Sequence, residues 1–367
     1  METISCTGPP SQVMIVGDYP TGEEYIRRLA FIGSVGRFTN ALLAPYKWNT
    51  SKSYCTYYIK VPIPGYRAKI KKLREAALDR VLSLENWKLI LKDEITAINP
   101  NVILSFGELA LQALTGERNI HKRRGSILPI SNELSPLPIN VVCTYSAREI
   151  WELNEVPFAY VQWDVGKVFE IRSLQSFFKT RELIWLVKNP TELSNWWDRA
   201  QHSSLLTLDI ETHNEFITCI SFSHDGHEAI SIPLLIGNAL DGFSQGIIYQ
   251  FLDKILRSSI PKVGQNIDYD MSILENWGFK INNVVGDTML MQQTIYPELP
   301  RGLDFLTSIY TNYPYYKDEG KEFDPKIHSA DVLLKYNAKD SLVDWEIWDK
   351  QQQDAQTQGV KKFYFDN

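Results

Sequence analysis

Short apolar runs alternate with amphipathic stretches through the first 170 or so residues. Residues 13–16 (Val-Met-Ile-Val) form one run, which ends in a turn-rich loop, Gly17-Asp18-Tyr19-Pro20-Thr21-Gly22. Runs at 102–106 and 139–143 are likewise continuous in apolar character. Continuous apolar strands are buried on both faces, and strand–helix alternation then implies a parallel sheet covered on both sides. A basic, helix-like stretch opens at Arg67 and runs to about residue 98, where Asn99-Pro100 stops it. Another helix follows Gly107 as far as Leu114, and a last one begins at Trp163-Asp164-Val165-Gly166-Lys167.

The pattern changes between residues 165 and 182. Residues 184–187 start a new strand, a helix follows over 190–201, and three strand-like runs come next at 205–211, 217–223 and 228–233. Asp225-Gly226 is a hairpin turn signal between the last two. Three successive strands followed by helices imply a mixed sheet with an antiparallel meander. The expected division is a first domain over 1–172, a linker over 173–182 and a second domain over 183–367.

Composition supports two globular domains: of 367 residues, 44% are hydrophobic and 22% charged. No apolar run approaches the ~20 residues that would span a membrane, and the N-terminus lacks a signal-peptide pattern. Cys6, Cys55, Cys143 and Cys219 are scattered without a C-x-x-C pair, which points to reduced thiols in a cytoplasmic protein. A net charge of −6 argues against a simple nucleic-acid binder. The charge is unevenly spread, however. Residues 1–172 hold 21 Lys and Arg against 17 Asp and Glu, whereas residues 173–367 hold 17 against 27. A positive half can contact phosphates, and a negative half can hold cations.

Three acidic motifs lie in the negative half: Asp209-Ile210-Glu211-Thr212, Asn266-Ile267-Asp268-Tyr269-Asp270 and Tyr336-Asn337-Ala338-Lys339-Asp340. Asp209 and Glu211, two apart on a strand, project from one face. Asn266 and Asp270, like Tyr336 and Asp340, are four apart in helical stretches, so each pair shares one side. Four carboxylates in one pocket repel one another unless cations sit between them. Carboxylates suit Mg2+ or Mn2+. Two such ions about 4 Å apart would activate a water and stabilise a leaving 3′ oxygen in phosphodiester hydrolysis. Asp209, Glu211, Asp270 and Asp340 are the expected metal ligands. Tyr336 and Glu211 are expected to orient the attacking water, and Thr212, Gln265 and Asn266 to contact substrate. Each motif alone is more often solvated surface or packing; the force lies in having all three in this order.

With these motifs, Gly264-Gln265 before the second and the intervening Asp287-Thr288-Met289-Leu290, residues 183–350 resemble the proofreading 3′–5′ exonuclease domain of family A DNA polymerases. Tyr336 marks the DEDDy subgroup. The resemblance implies an RNase H-like α/β fold, two bound metal ions and removal of nucleotides from a single-stranded or frayed DNA 3′ end. It also implies a DNA polymerase domain or subunit as partner, since in the family a polymerase domain follows the third motif. The chain is then either cut from a polymerase or a stand-alone subunit, and the apolar Phe363-Tyr364-Phe365 near its end favours truncation or docking. Ribonucleases of the same superfamily carry the same motifs.

Residues 13–170 resemble the uracil-DNA glycosylase superfamily, nearest its iron–sulfur members. The carriers are Gly17-Asp18-Tyr19-Pro20, the segment from Phe31 to Arg37, Asn99-Pro100-Asn101-Val102-Ile103-Leu104, Gly107-x-x-Ala110 and Arg124-Gly125. A three-layer α/β/α fold is implied. Departures are equally specific. Ser146-Ala147-Arg148 replaces the family's His-Pro-Ser loop, so the histidine that would stabilise a departing uracil anion is missing. Tyr57 stands at the position of the uracil-reading Asn, and the cluster cysteines are absent, so no iron–sulfur cluster is expected. Asp18, Phe31, Tyr57 and Ser146 mark a vestigial glycosylase site, in which Asp18 would polarise a water and Phe31 would stack on a base. The basic residues Lys69, Lys72, Lys122, Arg123 and Arg124 are candidate DNA-backbone contacts.

The leading expectation is a metal-dependent 3′–5′ DNA exonuclease with a degenerate glycosylase-like domain. The alternatives are a bifunctional glycosylase–exonuclease and a non-catalytic docking subunit of a replicative polymerase. Such a fusion suits a bacterial virus, which would place the protein in the host cytoplasm.

Overall fold

The computed structural model describes every residue except 1, 67–70, 84, 154–157, 179–181, 215, 237–241 and 367. Contacts divide the chain into two compact units, Met1–Lys179 and Thr180–Asn367.

Among the described residues of the first unit, a five-stranded sheet runs in the order β2-β1-β3-β5-β4, with β1 Val13–Gly17, β2 Tyr54–Tyr57, β3 Val102–Phe106, β4 Ile127–Pro129 and β5 Asn140–Thr144. All pairings are parallel except β4 with β5. Every residue of β1, β3 and β5 is buried, which is why these runs are continuously apolar. Val13, Ile15, Leu104 and Val142 pack under helices Gly33–Leu43 and Phe158–Ile171. Their sequence neighbours Met14, Val16, Ile103 and Val141 pack on the other face under Trp87–Ile98 and Glu108–Thr115. The two edge strands escape the sequence pattern. β2 mixes Tyr, Cys and Thr, and β4 has three residues ending in Pro129.

Two boundaries differ from expectation. The long helix before Asn99 is two helices among the described residues, Lys71–Leu82 and Trp87–Ile98. Asn86 starts the second by accepting a hydrogen bond from Leu89 N (3.1 Å). Asn99 ends it in the left-handed region (φ 49°). The last helix of the unit begins at Phe158, more than a turn before Trp163.

Among the described residues of the second unit, a six-stranded sheet runs β11-β10-β7-β8-β9-β6, with β6 Leu183–Leu186, β7 Leu206–His213, β8 Phe216–Ser223, β9 Glu228–Pro233, β10 Lys262–Gly264 and β11 Val284–Asp287. β7, β8 and β9 form the antiparallel meander, and the outer strands are parallel to their neighbours. The 28-residue helix Ala330–Thr357 lies across the meander. Small hydroxyl residues let it approach closely: Thr207 Oγ1 donates to Ser341 O (2.7 Å) and Ser221 Oγ to Asn337 O (2.8 Å), both buried. At its far end Trp348 lies on Gly286, where a Cβ would come within 2.0 Å of the indole. These contacts fix the helix relative to β7, and so fix which of its residues meet the acids of β7. The α/β class and the mixed second sheet are as expected. Among the described residues no helix is long and apolar enough to cross a membrane.

Candidate active site

β7 delivers Asp209 and Glu211 to one face at its C-terminal end, and the long helix brings Asp340 against them. One carboxylate oxygen from each of the three lies within 4.8 Å of the others. Asp270, on helix Ile267–Asn276, lies beside the strand, where its Oδ1 accepts Ile210 N (3.2 Å). Asp209 is held in place from the helix. Asn337 Nδ2 donates to Asp209 Oδ2 (2.7 Å) and to the Asp209 carbonyl (3.1 Å).

Close packing of like charges is evident in the electrostatics. Burial, then the charges of Asp340, Glu211 and Asp270, push the Asp209 carboxyl well above its usual range. Burial and Asp340 push Glu211 up to about 7. Asp270 is raised mainly by burial, against the lowering effect of the Ile210 amide. Behind them, burial pushes Asp344 up to about 8; its Oδ1 accepts Thr288 Oγ1 (2.6 Å), and its Oδ2 has no hydrogen-bond partner among the described residues. Crowding of this kind raises the cost of ionising the carboxyls when no cation lies between them. A set of hard carboxylate oxygens this close together, each destabilised by the next, fits divalent cations of the Mg2+ or Mn2+ kind.

The segment around residues 316–320 supplies groups that sequence reasoning did not find. Lys317 Nζ donates to Asp340 Oδ2 (2.6 Å) and to Tyr336 Oη (3.0 Å). Tyr316 Oη donates to Asp340 Oδ1 (2.6 Å). Burial alone would lower the Lys317 ammonium, but Asp340, Tyr336 and Asp209 together outweigh it and hold it above its usual range. The only sequence signal for this lysine is a cation inside the aromatic run Tyr313-Pro314-Tyr315-Tyr316-Lys317.

Other predicted contacts fall differently. Asn266 does not share a helix face with Asp270. It is the N-cap in the left-handed region (φ 56°), exposed, with its backbone N donating to Asp287 Oδ1 (3.0 Å). Asp287 is a clamp: its carboxylate also accepts Ile267 N, Met289 N and Leu290 N, so it caps two helices at once. Gln265 is half-buried, its Oε1 2.6 Å from Thr288 Oγ1 and its Nε2 donating to Arg301 O (2.9 Å). Thr212 stands at the rim, with its hydroxyl 3.0 Å from that of the exposed Tyr269.

The first unit has its own cavity of about 600 Å3, lined among others by Asp18, Tyr19, Phe31, Tyr57, Ser146 and Glu149. Phe31 is buried, with one face covered. Tyr57 lies parallel to it, with centroids 4.8 Å apart and planes 9° apart. Glu24 locks the pair, since its Oε1 accepts both Tyr57 Oη (2.6 Å) and Phe31 N (2.7 Å). Asp18 accepts Ala110 N (2.8 Å), and burial with the nearby Glu149 charge raises it well above the usual range. Ser146 is taken up in capping: its N donates to Glu149 Oε2 (2.7 Å) and its Oγ accepts Glu149 N (3.2 Å).

Of the proposed backbone contacts, Lys72 and Lys122 are exposed, Arg123 pairs with Glu117 (2.8 Å), and Lys69 lies outside the described residues. Arg124 is a correction. It is buried and paired with Asp164, its Nε 3.0 Å from Oδ2, and Thr144 Oγ1 donates to the same oxygen (2.6 Å). A buried guanidinium needs such partners and is not available to a phosphate.

Residues 6–207, more than half of the chain, match the family model for the uracil DNA glycosylase superfamily. The chain belongs to that superfamily. Residues 184–355 match a second family model, described as 3′–5′ exonuclease. The superfamily match therefore runs past the first unit, into β6, helix Pro190–Ala200 and the start of β7. No curated protein matches the chain. Among solved structures, similar chains include the catalytic core of RRP6 from Trypanosoma brucei (16% identity, 52% of this chain and 53% of that one, TM-score 0.42). RNase D of Escherichia coli is another (17% identity, 50% and 48%, TM-score 0.40). A third is the POL domain of Pol1 from M. smegmatis (15% identity, 49% and 29%, TM-score 0.38). This superfamily member spans about half or less of the length of each.

Proposed function

We propose that the second unit, a 3′–5′ exonuclease domain by its family match, removes nucleotides from DNA 3′ ends as the proofreading part or partner of a DNA polymerase. The convergence of Asp209, Glu211 and Asp340 from a strand and a helix far apart in sequence carries this reading. Asp209, Glu211, Asp340 and Asp270 would hold two divalent ions. Bound there, such ions supply an acidified water and offset the charge on the leaving oxygen. Glu211 and Tyr336 would orient that water. Asn337 keeps Asp209 turned toward its neighbours. The exposed Asn266 amide and the Thr212–Tyr269 pair are candidate contacts for an incoming strand. The test is digestion of 5′-labelled single-stranded DNA with Mg2+, beside an RNA strand of the same sequence. Stepwise shortening from the 3′ end is expected, faster on DNA. No metal-dependent shortening would sink the proposal, and a preference for RNA would move it to ribonuclease.

For the first unit, the stacking of Tyr57 on Phe31 favours a role in docking on DNA over base excision. Tyr57 covers one face of Phe31, and Ser146 cannot supply the positive charge of the family's loop histidine. A uracil-containing duplex should therefore gain no alkali-labile sites after incubation with the chain. Sites that form, and vanish in an Asp18→Asn variant, would show that excision persists.

A further inference from the structure

Lys317 lies between two groups that the exonuclease reading puts in different roles, a metal-binding carboxylate and a water-orienting phenol. Its side chain is 12% exposed, and its Nζ bonds both Asp340 Oδ2 and Tyr336 Oη while sitting 4.9 Å from the centre of the Tyr336 ring. The segment that carries it is built to lie on the long helix. Gly320 rests against Tyr336, where a Cβ would come within 2.5 Å of the ring. On the outer side Glu319 pairs with Lys339 (2.7 Å), one residue before Asp340. Tyr316 takes the other oxygen of Asp340 (2.6 Å). One segment thus fixes both oxygens of a carboxylate and the oxygen of a phenol that the helix alone would leave free to rotate.

We infer that Lys317 is a positioning residue of the exonuclease site, holding the Tyr336 phenol oxygen and the Asp340 carboxylate in one fixed relation. Each carboxylate oxygen has two lone pairs, so Asp340 accepts Tyr316 and Lys317 and still has capacity to ligate a cation. The phenol accepts one bond from Lys317, which leaves its O–H and a second lone pair for a water. A side chain that only neutralised Asp340 would have no need to reach Tyr336 as well. The inference rests on the exonuclease reading of this site.

The test compares wild type, Lys317→Met and Lys317→Arg in three measurements: Mn2+ affinity by calorimetry, thermal melting, and single-turnover cleavage of a DNA strand at saturating Mn2+. Lys317→Met should bind Mn2+ as tightly as wild type or more tightly, because a positive charge has left the site. Its cleavage rate constant should fall about 100-fold, the cost of a misplaced reacting group, with little change in the strand concentration needed for half-saturation. Lys317→Arg should recover most of the rate. A Met variant that melts lower but cleaves within about threefold of wild type would reduce Lys317 to a counter-ion and overturn the inference, as would faster cleavage. A wild-type chain that binds Mn2+ and cleaves nothing would overturn the exonuclease reading, and this inference with it.

Discussion

An Asp209→Asn chain should lose at least a thousandfold in nucleotide release while melting at a higher temperature than wild type when no metal is present. The two effects have one origin. Asp209 has three carboxylates around it, and burial and their charges make its ionised form costly. The amide keeps the shape and can keep a contact with Asn337, so the site does not collapse. It removes one negative charge from a group that repels itself, which stabilises the metal-free fold at pH 8. Each kcal/mol gained is worth roughly 2–4 °C in a unit the size of Thr180–Asn367. The amide is also a poor ligand for a hard divalent cation. A thousandfold loss corresponds to about 4 kcal/mol of transition-state stabilisation, which is within what metal-ion catalysis supplies. The measurements are nucleotide release with Mg2+ and melting in chelator. Retained release would remove Asp209 from the metal site. A lower melting temperature in chelator would mean that the cluster is not under electrostatic strain.

The acids of this site were readable because strands and helices have fixed periods. Asp209 and Glu211 follow from a spacing of two, Tyr336 and Asp340 from a spacing of four, and the elements carrying them formed as the pattern implies. Lys317 and Tyr316 had no such signal. They reach Asp340 from a segment whose register is set by Gly320 on Tyr336 and by the Glu319–Lys339 pair, and neither contact has a period in sequence. Asn266 shows the converse. Its spacing to Asp270 is helical, but the helix begins one residue later, because Asp287 caps its first amides from a distant strand. Arg124 and Phe31, whose amide is bonded by Glu24, were expected to be available for a related reason. A basic run looks exposed and an aromatic looks available until the partner is known. Here the partners are Asp164 on a helix 40 residues on and Glu24 in another. The buried strands of the first sheet were plain from continuous apolar runs, whereas its edges β2 and β4 were short and mixed and gave no run to see.

Divalent metal should bind far more weakly at pH 6 than at pH 8. Glu211 has its proton affinity raised from an ordinary 4.5 to about 7, and Asp209 is raised as well. Below neutrality a metal must displace at least one proton, which costs about tenfold in affinity for each proton and each pH unit. With one carboxyl near 7, the dissociation constant for Mn2+ should therefore fall about tenfold between pH 6 and pH 8, most of it below pH 7. Stability without metal should move the other way. Between about pH 4.5 and 7 the unfolded chain has released the Glu211 proton and the folded chain has not, so the folded state holds more protons and is destabilised as pH rises through that window. In chelator the second unit should melt lower at pH 8 than at pH 5. Saturating Mn2+ should reverse the order, since its stabilising effect grows with the ratio of free metal to dissociation constant. Calorimetry in two buffers of different ionisation heat counts the protons released on binding, and at least one is expected at pH 6.5. Binding that is independent of pH and releases no proton would mean that these carboxylates are already ionised and spaced apart, which would undo the argument that their mutual repulsion is what calls for the cations.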